Sequence, residues 1–366
     1  MKIRCDSSVI SEACSLVARA ASSKSSIKEQ EGILFQTTEQ GVRLTAYDLS
    51  IAVITVIDAT IAEEGAVVIG AKILCELLKY LPEDTVEIDV NDKFVCTIKS
   101  GVSVYEINGV DPEGFPEVPY VNGGEPVVIE QKILRDMIRQ TVFAVSPDDS
   151  RVAHRGIKFE LEENTVRAVA LDNYRIALRT EATECNIKHT SFILPLKTVN
   201  EIGKFLNDDD GFVSINPGNQ FITISMNGYN FVSRLLEGEF LDYKRALPKD
   251  IHTEVRIKTG EMLNKLTSMA LLVDERMKNP VKCNFEDNVL RLSMNSSSGM
   301  GDTEMNVSMT GDNIEIGFNV RFLMDAIRAT ESDEIVIKMG SPFSPAAIVP
   351  IEGESFYYLV LPVRFR

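Results

Sequence analysis

The chain has 366 residues, of which 44% are hydrophobic and 25% are charged, and its formal net charge is −16. This length exceeds one ordinary core and predicts two or three folded domains, and no apolar run approaches the ~20 residues of a transmembrane helix. Because duplex DNA is itself strongly negative, so acidic a chain is not a general nucleic-acid binder unless its cations are concentrated on one surface.

The N-terminus and the cysteines predict a cytoplasmic protein. Met1–Cys5 enters a strand pattern directly, which leaves no space for a signal peptide. Six cysteines are scattered along the chain and none forms a CxxC pair. This usage is typical of reduced thiols rather than of a disulfide framework or a zinc site.

In chain order, each third of the sequence begins with a strand and a helix, continues with strands, and then has a second helix and further strands. The opening strands are predicted at Met1–Cys5, Val127–Ile129 and Val255–Ile257. Apolar residues at helical spacing mark four of the helices and should face the core. They are Val9, Ile10, Ala13, Cys14, Leu16 and Val17; Ile73, Leu74, Leu77, Leu78 and Leu81; Val199, Ile202, Phe205 and Leu206; and Phe322, Leu323, Ala326 and Ile327. Strands outnumber helices, so we predict an α+β fold with helices on one face of antiparallel sheets.

An interval of 124 residues relates the three parts of the chain. Arg43, Arg167 and Arg291 occupy similar strand segments that are 124 residues apart. The entries to the second helices end at Lys72, Lys197 and Arg321, which are 125 and 124 residues apart. Coincidence among common strand residues is the alternative, but the shared interval favours a triplication of one small domain. We predict three similar domains at residues 1–122, 125–248 and 252–366.

Cations recur at one spacing on the second helices. In each copy two cations lie seven residues apart, which is almost two helical turns, so both project from one face. The pairs are Lys72 and Lys79, Lys197 and Lys204, and Arg321 and Arg328, and the first helix of the second copy adds Lys132, Arg135 and Arg139. Solvated helix faces are the alternative for any single helix. The threefold recurrence favours faces that contact duplex phosphates without reading bases.

Patterns of catalytic, cofactor-binding or metal-binding residues are missing. The three histidines are far apart in sequence, so neither a zinc site nor a Ser-His-Asp arrangement is supported. No phosphate-binding glycine loop occurs. The acidic stretches Asp148-Asp149 and Asp208–Asp210 are interpreted as solubilising turns. We therefore predict a non-catalytic protein with no cofactor and no metal.

Three segments carry a likeness to a known family: Leu171–Ala177 (LDNYRIA), Leu241–Pro248 (LDYKRALP) and Leu359–Phe365 (LVLPVRF). With the triple repeat, the chain resembles the bacterial DNA polymerase III beta subunit family, the sliding clamps, over its full length. The resemblance implies a ring of two chains paired head to tail, lined by helices, through which DNA threads. A ring that is acidic outside and basic inside is compatible with the net charge, because exposed charges are screened over ~8–10 Å at physiological salt.

The resemblance adds one DNA contact and weakens others. Lys24 falls where a basic loop residue is expected, and Lys72 where the second helix meets DNA. Val152, Ala153 and Asp148 differ from residues that make such contacts in some members, so those contacts do not carry over.

The resemblance also implies a groove between the second and third copies that binds a short peptide of the polymerase alpha subunit, the clamp loader and other partners. Apolar side chains would anchor the peptide, and arginines would orient its carbonyls or acids. Carried over by position, the groove comprises Leu171, Asn173, Tyr174, Arg175, Ile176, Leu241, Arg245, Ala246, Phe322, Phe343, Leu359, Leu361, Val363 and Arg364. Asn173, Tyr174 and His154 differ from some members, so peptide preference can differ. Leu271 and Leu272 are candidates for the ring seam in the third copy, and its partner surface in the first copy is not specified.

Two other classes of function fit parts of the sequence. An enzyme could use Asp172, Tyr174 and Arg175 for acid–base work at a domain junction, which predicts turnover of a small substrate. A structural scaffold predicts no contact with DNA at all. Retention on circular duplex that is lost when the circle is cut would favour a clamp over both.

Overall fold

The computed structural model describes residues 1–121, 125–148, 150–183, 189–207, 210–273 and 279–365. Six helices and 26 strands lie within these ranges. The helices are α1 Ser7–Val17, α2 Ala71–Leu78, α3 Gln131–Arg139, α4 Leu196–Ile202, α5 Thr259–Ala270 and α6 Val320–Ala329.

The strands fall into the same three parts of the chain as the helices. In the first part they are β1 Lys2–Asp6, β2 Gly32–Thr38, β3 Gly41–Tyr47, β4 Ile51–Ile57, β5 Thr60–Glu63, β6 Ala66–Gly70, β7 Thr85–Val90, β8 Val95–Ser100 and β9 Ser103–Asn108. In the second part they are β10 Val127–Glu130, β11 Gly156–Glu162, β12 Thr165–Leu171, β13 Arg175–Ala182, β14 Thr190–Pro195, β15 Phe212–Pro217, β16 Phe221–Met226 and β17 Tyr229–Arg234. In the third part they are β18 Thr253–Lys258, β19 Val281–Glu286, β20 Val289–Ser296, β21 Gly299–Asn306, β22 Ser308–Gly311, β23 Ile314–Phe318, β24 Glu334–Met339, β25 Ala346–Val349 and β26 Phe356–Val360.

Side-chain caps define two of the helix starts. The Asp6 carboxylate accepts hydrogen bonds from the backbone N–H groups of Ser8 at 2.8 Å and Val9 at 3.1 Å, where α1 begins. Asn319 has the same role at α6 and accepts from the N–H of Arg321 at 3.0 Å. Such caps satisfy N–H groups that a first helical turn leaves without partners.

The predicted apolar helix faces are largely buried, with two corrections. The buried residues of α1 are Ile10, Ala13, Cys14 and Val17, and those of α2 include Leu74 and Leu78. The prediction was wrong for Val9 and Ile73, which are 44% and 55% exposed. Neighbouring residues are separated by about 100° around a helix, so each of these two side chains turns away from the stripe beside it.

Two compact units make up the chain. The first comprises Met1–Lys132 and Lys204–Leu235, and the second comprises Ile133–Gly203 and Leu236–Arg366. The units therefore divide the predicted second domain between them. The three predicted boundaries stay a prediction, and their ends at 122 and 366 lie outside the described residues.

In the first unit, an eight-stranded antiparallel sheet has the order β10-β15-β16-β17-β4-β3-β2-β6. Its central pair, β17 and β4, hydrogen-bonds strands from the second and first parts of the chain. A five-stranded sheet in the same unit has the order β5-β1-β7-β8-β9. A sheet that continues from one part of the chain to the next explains why the compact unit crosses the predicted boundary.

In the second unit, a nine-stranded sheet has the order β14-β11-β12-β13-β26-β25-β24-β18-β22. Here β13 and β26 pair antiparallel and join the second and third parts of the chain. A four-stranded sheet has the order β21-β20-β19-β23. The predicted α+β fold with antiparallel sheets is confirmed. None of the described helices is both long and apolar enough to cross a membrane.

Candidate partner groove and cationic helices

A tight turn at Leu171–Arg175 forms the centre of the predicted groove. The Asp172 carboxylate accepts hydrogen bonds from the backbone N–H groups of Tyr174 at 2.7 Å and Arg175 at 3.0 Å. This side-chain-to-backbone bonding is the usual reason for aspartate in a turn. The N–H of Leu361 then donates to the Tyr174 carbonyl at 2.8 Å. The structure thus brings together two segments that were placed in the groove from sequence.

An apolar cluster lies beneath this turn. Leu171, Ile176 and Leu359 are buried in it at 1%, 5% and 2% exposure, and Leu361 packs against it while half-buried. Of these predicted groove residues, the first three are buried beneath the turn, and Leu361 is the more exposed aliphatic residue.

Arg175 is held on several sides. Its Nε donates to Asp172 at 3.0 Å, and its Nη1 donates to Asp325 at 2.8 Å. The guanidinium lies 4.4 Å from the centroid of the Phe322 ring and 5.5 Å from that of Phe143. The sequence identified Arg175 and Phe322 but missed Asp325 and Phe143. The spacing of Asp325 on α6, one turn after Phe322, was the available signal.

The remaining predicted groove residues are mostly exposed. Tyr174 is 55% exposed and stacks on Phe322 with ring centroids 5.7 Å apart. Leu241 and Phe343 are 44% and 73% exposed. The other exposed members are Asn173, Arg245, Ala246 and Arg364, and Val363 is half-buried. The Arg245 side chain is paired with Asp242 at 2.9 Å.

A buried polar network anchors the segment that carries Leu241 and Arg245. The hydroxyl of buried Tyr243 donates to Glu160 at 2.8 Å. Glu160 also accepts from Arg167 at 3.2 Å and pairs with Lys158 at 2.8 Å. Burial disfavours the charged Glu160 carboxylate, but these hydrogen bonds outweigh burial and the pKa of Glu160 is lowered. Burial raises the pKa of Tyr243.

A cavity of about 650 Å³ opens beside this network. Tyr243, Leu247, Lys338 and Tyr357 are among its lining residues. None of the residues predicted for the groove lines it among those described. The predicted groove residues instead gather at the turn Leu171–Arg175, where the exposed Tyr174 and the Arg175 guanidinium both contact Phe322.

Most predicted DNA-contacting cations are exposed. These are Lys24, Lys72, Lys79, Lys132, Arg139, Lys197, Lys204, Arg321 and Arg328. Arg135 differs, because its side chain is only 20% exposed and lies 3.6 Å from Asp136. Arg139 pairs with Asp136 at 3.1 Å and also with Glu331. Within these helices, therefore, some positive charge is already balanced by neighbouring acids.

An acid lies between the two cations of each pair, and it was not among the predicted contacts. Glu76, Glu201 and Asp325 each lie four residues after the first cation of a pair. The prediction that both cations lie on the helix was wrong for Lys79 and Lys204, which follow the last residues of α2 and α4. Glu76 of α2 pairs with Lys79 at 2.9 Å. Asp325 instead reaches off its helix to Arg175. The same sequence position thus has different contacts in different copies.

The predicted seam residues adjoin a sheet edge. Leu271 is 81% exposed, and Leu272 is half-buried. A Cβ added to Gly301 of β21 would lie 2.7 Å from Leu272 Cδ1, so Leu272 packs directly against that edge strand. In the first unit, the edge strand β9 and its preceding turn carry Val102, Val104 and Tyr105, which are 100%, 56% and 36% exposed.

The described residues give no support to a metal site or to the rival enzyme. They contain no cluster of three or more His, Cys, Asp or Glu with the geometry of a metal site. Asp149, Asp208 and Asp209 of the acidic stretches lie outside the described residues. Asp172 is occupied by its own turn and by Arg175. Tyr174 stacks on Phe322.

Comparisons with known proteins give one consistent result. Family profiles for the N-terminal, central and C-terminal domains of the DNA polymerase III beta subunit match residues 1–119, 128–242 and 244–364. A beta sliding clamp of Halalkalibacterium halodurans is 32% identical over 365 residues, which is 95% of each chain. The solved sliding clamp of Bacillus subtilis is 28% identical, with a TM-score of 0.97 over 100% of both chains. The Pseudomonas aeruginosa clamp, solved with griselimycin bound, is 25% identical with a TM-score of 0.95 over 100% of both chains.

Proposed function

Because the chain belongs to the DNA polymerase III beta subunit family, the beta sliding clamps, we propose that its cationic helices contact duplex DNA and its groove tethers the polymerase. The chain is a non-catalytic processivity subunit that acts with DNA and polymerase partners as a ring. One observation supports the residue-level proposal. Successive parts of the chain are joined by sheets, and the two strands at each joint occupy equivalent positions in the repeat.

The joining strands have equivalent places in the repeat. β17 and β26 are the third strands after the second helix of their copies, and β4 and β13 are the third strands after the first helix. β17 pairs with β4, and β26 pairs with β13. The corresponding strands that remain are β9 and β21, and each lies at the edge of its sheet. We infer that β9 of one chain pairs with β21 of a second chain, which closes the ring at two identical seams.

The side chains at the two joints within the chain support this pairing. Phe231 of β17 lies opposite Val53, and Tyr358 of β26 lies opposite Ala177. The repeat places Tyr105 opposite Gly301 at the seam, so at each joint an aromatic residue would face a smaller residue without a ring.

Exposure supports the same pairing. Phe231 and Tyr358 are fully buried, whereas Tyr105 is 36% exposed in the single chain. Tyr105 is therefore an aromatic residue whose equivalents are covered by a neighbouring strand. Unpaired apolar edges favour association. The exposed Met300 lies in β21, and the exposed Leu271 precedes Leu272, which packs against that strand. We propose that Leu271 and Leu272 belong to this seam.

The proposed DNA contacts are Lys24 together with the cations of the helices. Lysine and arginine contacts to phosphates hold a duplex without regard to its sequence. A cation that is paired with an acid, such as Lys79 with Glu76, contributes less to phosphate binding, because the acid offsets part of its charge. A ring that holds DNA by topology needs only weak contacts of this kind, since tight ones would slow sliding.

The proposed partner site is the groove around Tyr174, Arg175 and Leu361. The polymerase alpha subunit, the clamp loader and other partners would insert apolar anchors above the residues buried beneath the turn. Because a relative binds griselimycin, we propose that the same compound binds this chain and competes with a partner peptide. We also propose a cytoplasmic location, supported by the free thiols of Cys5, Cys14 and Cys96.

Retention on circular DNA tests the proposal. The clamp is loaded onto nicked circular duplex by its ATP-dependent loader and separated from free protein by gel filtration. We expect it to remain with the circles and to be lost when a restriction enzyme linearises them. Equal retention on linear DNA, or loading that does not need the loader, would contradict the ring.

A matched pair of variants locates the seam in the same assay. Tyr105→Glu places a charge at the proposed joint and should give monomers that circles do not retain. Tyr120→Glu alters a residue that is 89% exposed outside the strands and should behave as the parent protein. A dimeric Tyr105→Glu protein would exclude β9 from the seam.

A further inference from the structure

Asp325 has neighbours that distinguish it from Glu76, the equivalent acid of the first copy. It follows Arg321 by four residues and precedes Arg328 by three, so it shares a helix face with two proposed DNA contacts. Its carboxylate nevertheless bonds Arg175, which is 150 residues away in sequence. Glu76, at the same place on α2, pairs with its own Lys79.

Arg175 is nearly enclosed by its partners. Its side chain is 11% exposed, and that of Asp172 is 8% exposed. The two carboxylates bond different nitrogens of the guanidinium, Nε and Nη1, which leaves little rotational freedom about the end of the side chain. The face of the guanidinium is covered by Phe322, which also stacks on Tyr174. Removal of either carboxylate would be costly, because it would leave part of a poorly exposed guanidinium charge without compensation.

Asp172 and Asp325 have different tasks in this arrangement. Asp172 also accepts hydrogen bonds from two backbone N–H groups, so it stabilises the conformation of the turn. Asp325 is 36% exposed and contacts the groove only through Arg175 among the bonds described. Loss of the Asp325 charge would leave the turn intact but would free one end of the guanidinium and remove one of its two counter-charges.

We propose that Asp325 is a positioning residue of the peptide groove, which acts by holding Arg175 against Phe322 before a peptide arrives. This proposal rests on the proposed function of the groove. Pre-ordering of a long cationic side chain reduces the entropy that binding must overcome. A second consequence is that the guanidinium, already opposed by two carboxylates, presents itself to neutral acceptors such as peptide carbonyls rather than to acidic side chains. Asp325 thereby influences which peptides the groove accepts.

A double-mutant cycle tests the proposal. The probe is a fluorescein-labelled peptide with the clamp-binding sequence of the alpha subunit from the same organism, and affinity is measured by anisotropy. We expect Asp325→Asn to weaken binding about fivefold and Asp325→Glu to restore most of it. In an Arg175→Ala background, Asp325→Asn should have no further effect. An unchanged affinity, or an equal loss in both backgrounds, would overturn the positioning role.

A matched control separates this role from charge effects on DNA. Glu76→Gln removes the equivalent acid of α2, so both it and Asp325→Asn should strengthen binding to a short labelled duplex. Only Asp325→Asn should weaken peptide binding, and the same result for both variants would refute the proposal. A Leu361→Ala variant is measured alongside. If the peptide affinity of Leu361→Ala is also unchanged, the assignment of the groove as the peptide site is wrong. A loss of affinity in Leu361→Ala alone contradicts only the role of Asp325.

Discussion

Residues 47–51 of the first unit and residues 171–175 of the second form one kind of turn, 124 residues apart. In each, an aspartate carboxylate accepts hydrogen bonds from the backbone N–H groups two and three residues later. The distances are 2.9 and 2.9 Å at Asp48, and 2.7 and 3.0 Å at Asp172. The repeat is therefore preserved at the level of individual hydrogen bonds.

In both units, a backbone N–H from a distant segment of the chain donates a hydrogen bond to a carbonyl of the turn. The N–H of Arg234 donates to the Ser50 carbonyl at 2.9 Å, and the N–H of Leu361 donates to the Tyr174 carbonyl at 2.8 Å. The side chains at these places differ completely. Ser50 and Arg234 of the first unit correspond to Tyr174 and Leu361 of the second.

What covers each turn also differs. In the first unit, Phe115, Val118 and Val121, which follow β9 in the chain, pack against the cluster that contains Tyr47 and Val232. In the second unit, the turn itself carries the exposed Tyr174 and the nearly enclosed Arg175, and the half-buried Leu361 packs beside it. The duplicated backbone therefore supplies the same scaffold in both units, and only the side chains of the second copy form the proposed partner site.

The largest expected effect is a loss of peptide affinity when apolar side chains are removed at the second turn but not at the first. Leu361→Ala combined with Leu171→Ala removes two apolar groups from the second turn and should weaken peptide binding by roughly 2–4 kcal/mol. Leu171 is 1% exposed, so the double variant is checked for folding, and Leu361→Ala alone gives the same test if it unfolds. The dimer should persist, because neither residue belongs to β9 or β21.

Arg234→Ala, the change at the equivalent place of the first unit, is the control for this pair and should leave peptide affinity as it was. Titration calorimetry measures the binding of all the variants. Unaltered peptide affinity in the double variant would refute the groove assignment.

Removal of the turn aspartates should affect stability in both units but binding in only one. Asp48→Ala and Asp172→Ala each lose two backbone hydrogen bonds to a carboxylate, which should lower the free energy of unfolding by about 2 kcal/mol. Urea denaturation measures this loss. Only Asp172→Ala should also weaken peptide binding, because it releases Arg175. Equal peptide affinity in the two variants would show that the second turn is no more than a scaffold.

Acid should destabilise the two units differently. Gln36 lies opposite Arg43 in the first unit, at the place where Glu160 lies opposite Arg167 in the second. The pKa of Glu160 is lowered in the folded state, so its contribution is complete above its unfolded pKa of about 4.3 and is lost as the pH falls through the lowered folded value.

Glu160→Gln makes the second unit resemble the first and should flatten the dependence of stability on pH below about pH 4.3. The free energy of unfolding of both proteins is measured by urea denaturation between acidic and neutral pH. Parallel curves would mean that the Glu160 network has no part in acid stability.

The smallest expected effect concerns the helices, whose roles should have remained alike. Lys72→Ala and Arg321→Ala remove equivalent cations from the first and third copies. Each should reduce the salt dependence of duplex binding by about one phosphate contact. Anisotropy of a labelled duplex over a series of salt concentrations measures the slope. A change of slope in only one of the two variants would show that the first and third copies differ in their contacts with DNA.

Much of the fold could be predicted because it depends on local patterns. The apolar spacing of α1 and α6 and the interval of 124 residues are visible in the sequence. The joints β17–β4 and β13–β26 could not be predicted, because pairing between distant strands depends on which edges meet in the folded chain. Exposure of Val9 and Ile73 was missed since periodicity marks a stripe on a helix but not its edges.

The candidate site, which stays a prediction, could be assigned from sequence where a motif named its residues. Leu171, Tyr174 and Arg175 came from one short segment, and the structure gathers them around one turn. Asp325 and Glu160 were missed because each is a single acid whose importance arises from a partner far away in sequence. The edge strand β9 was missed for the same reason, because an exposed edge is a property of a sheet rather than of a segment.

Cross-linking across the proposed seam tests the ring most directly. The repeat places Val104 opposite Asp302, so a protein with Val104→Cys and Asp302→Cys should oxidise to a covalent dimer that runs at twice the chain mass on a non-reducing gel. Val104→Cys with Glu304→Cys is the matched control, two residues out of register at roughly 7–8 Å, and should cross-link poorly. The parent protein, with its native thiols, should remain a single chain. Equal cross-linking of both pairs, or none in the first, would contradict a ring closed by β9 and β21.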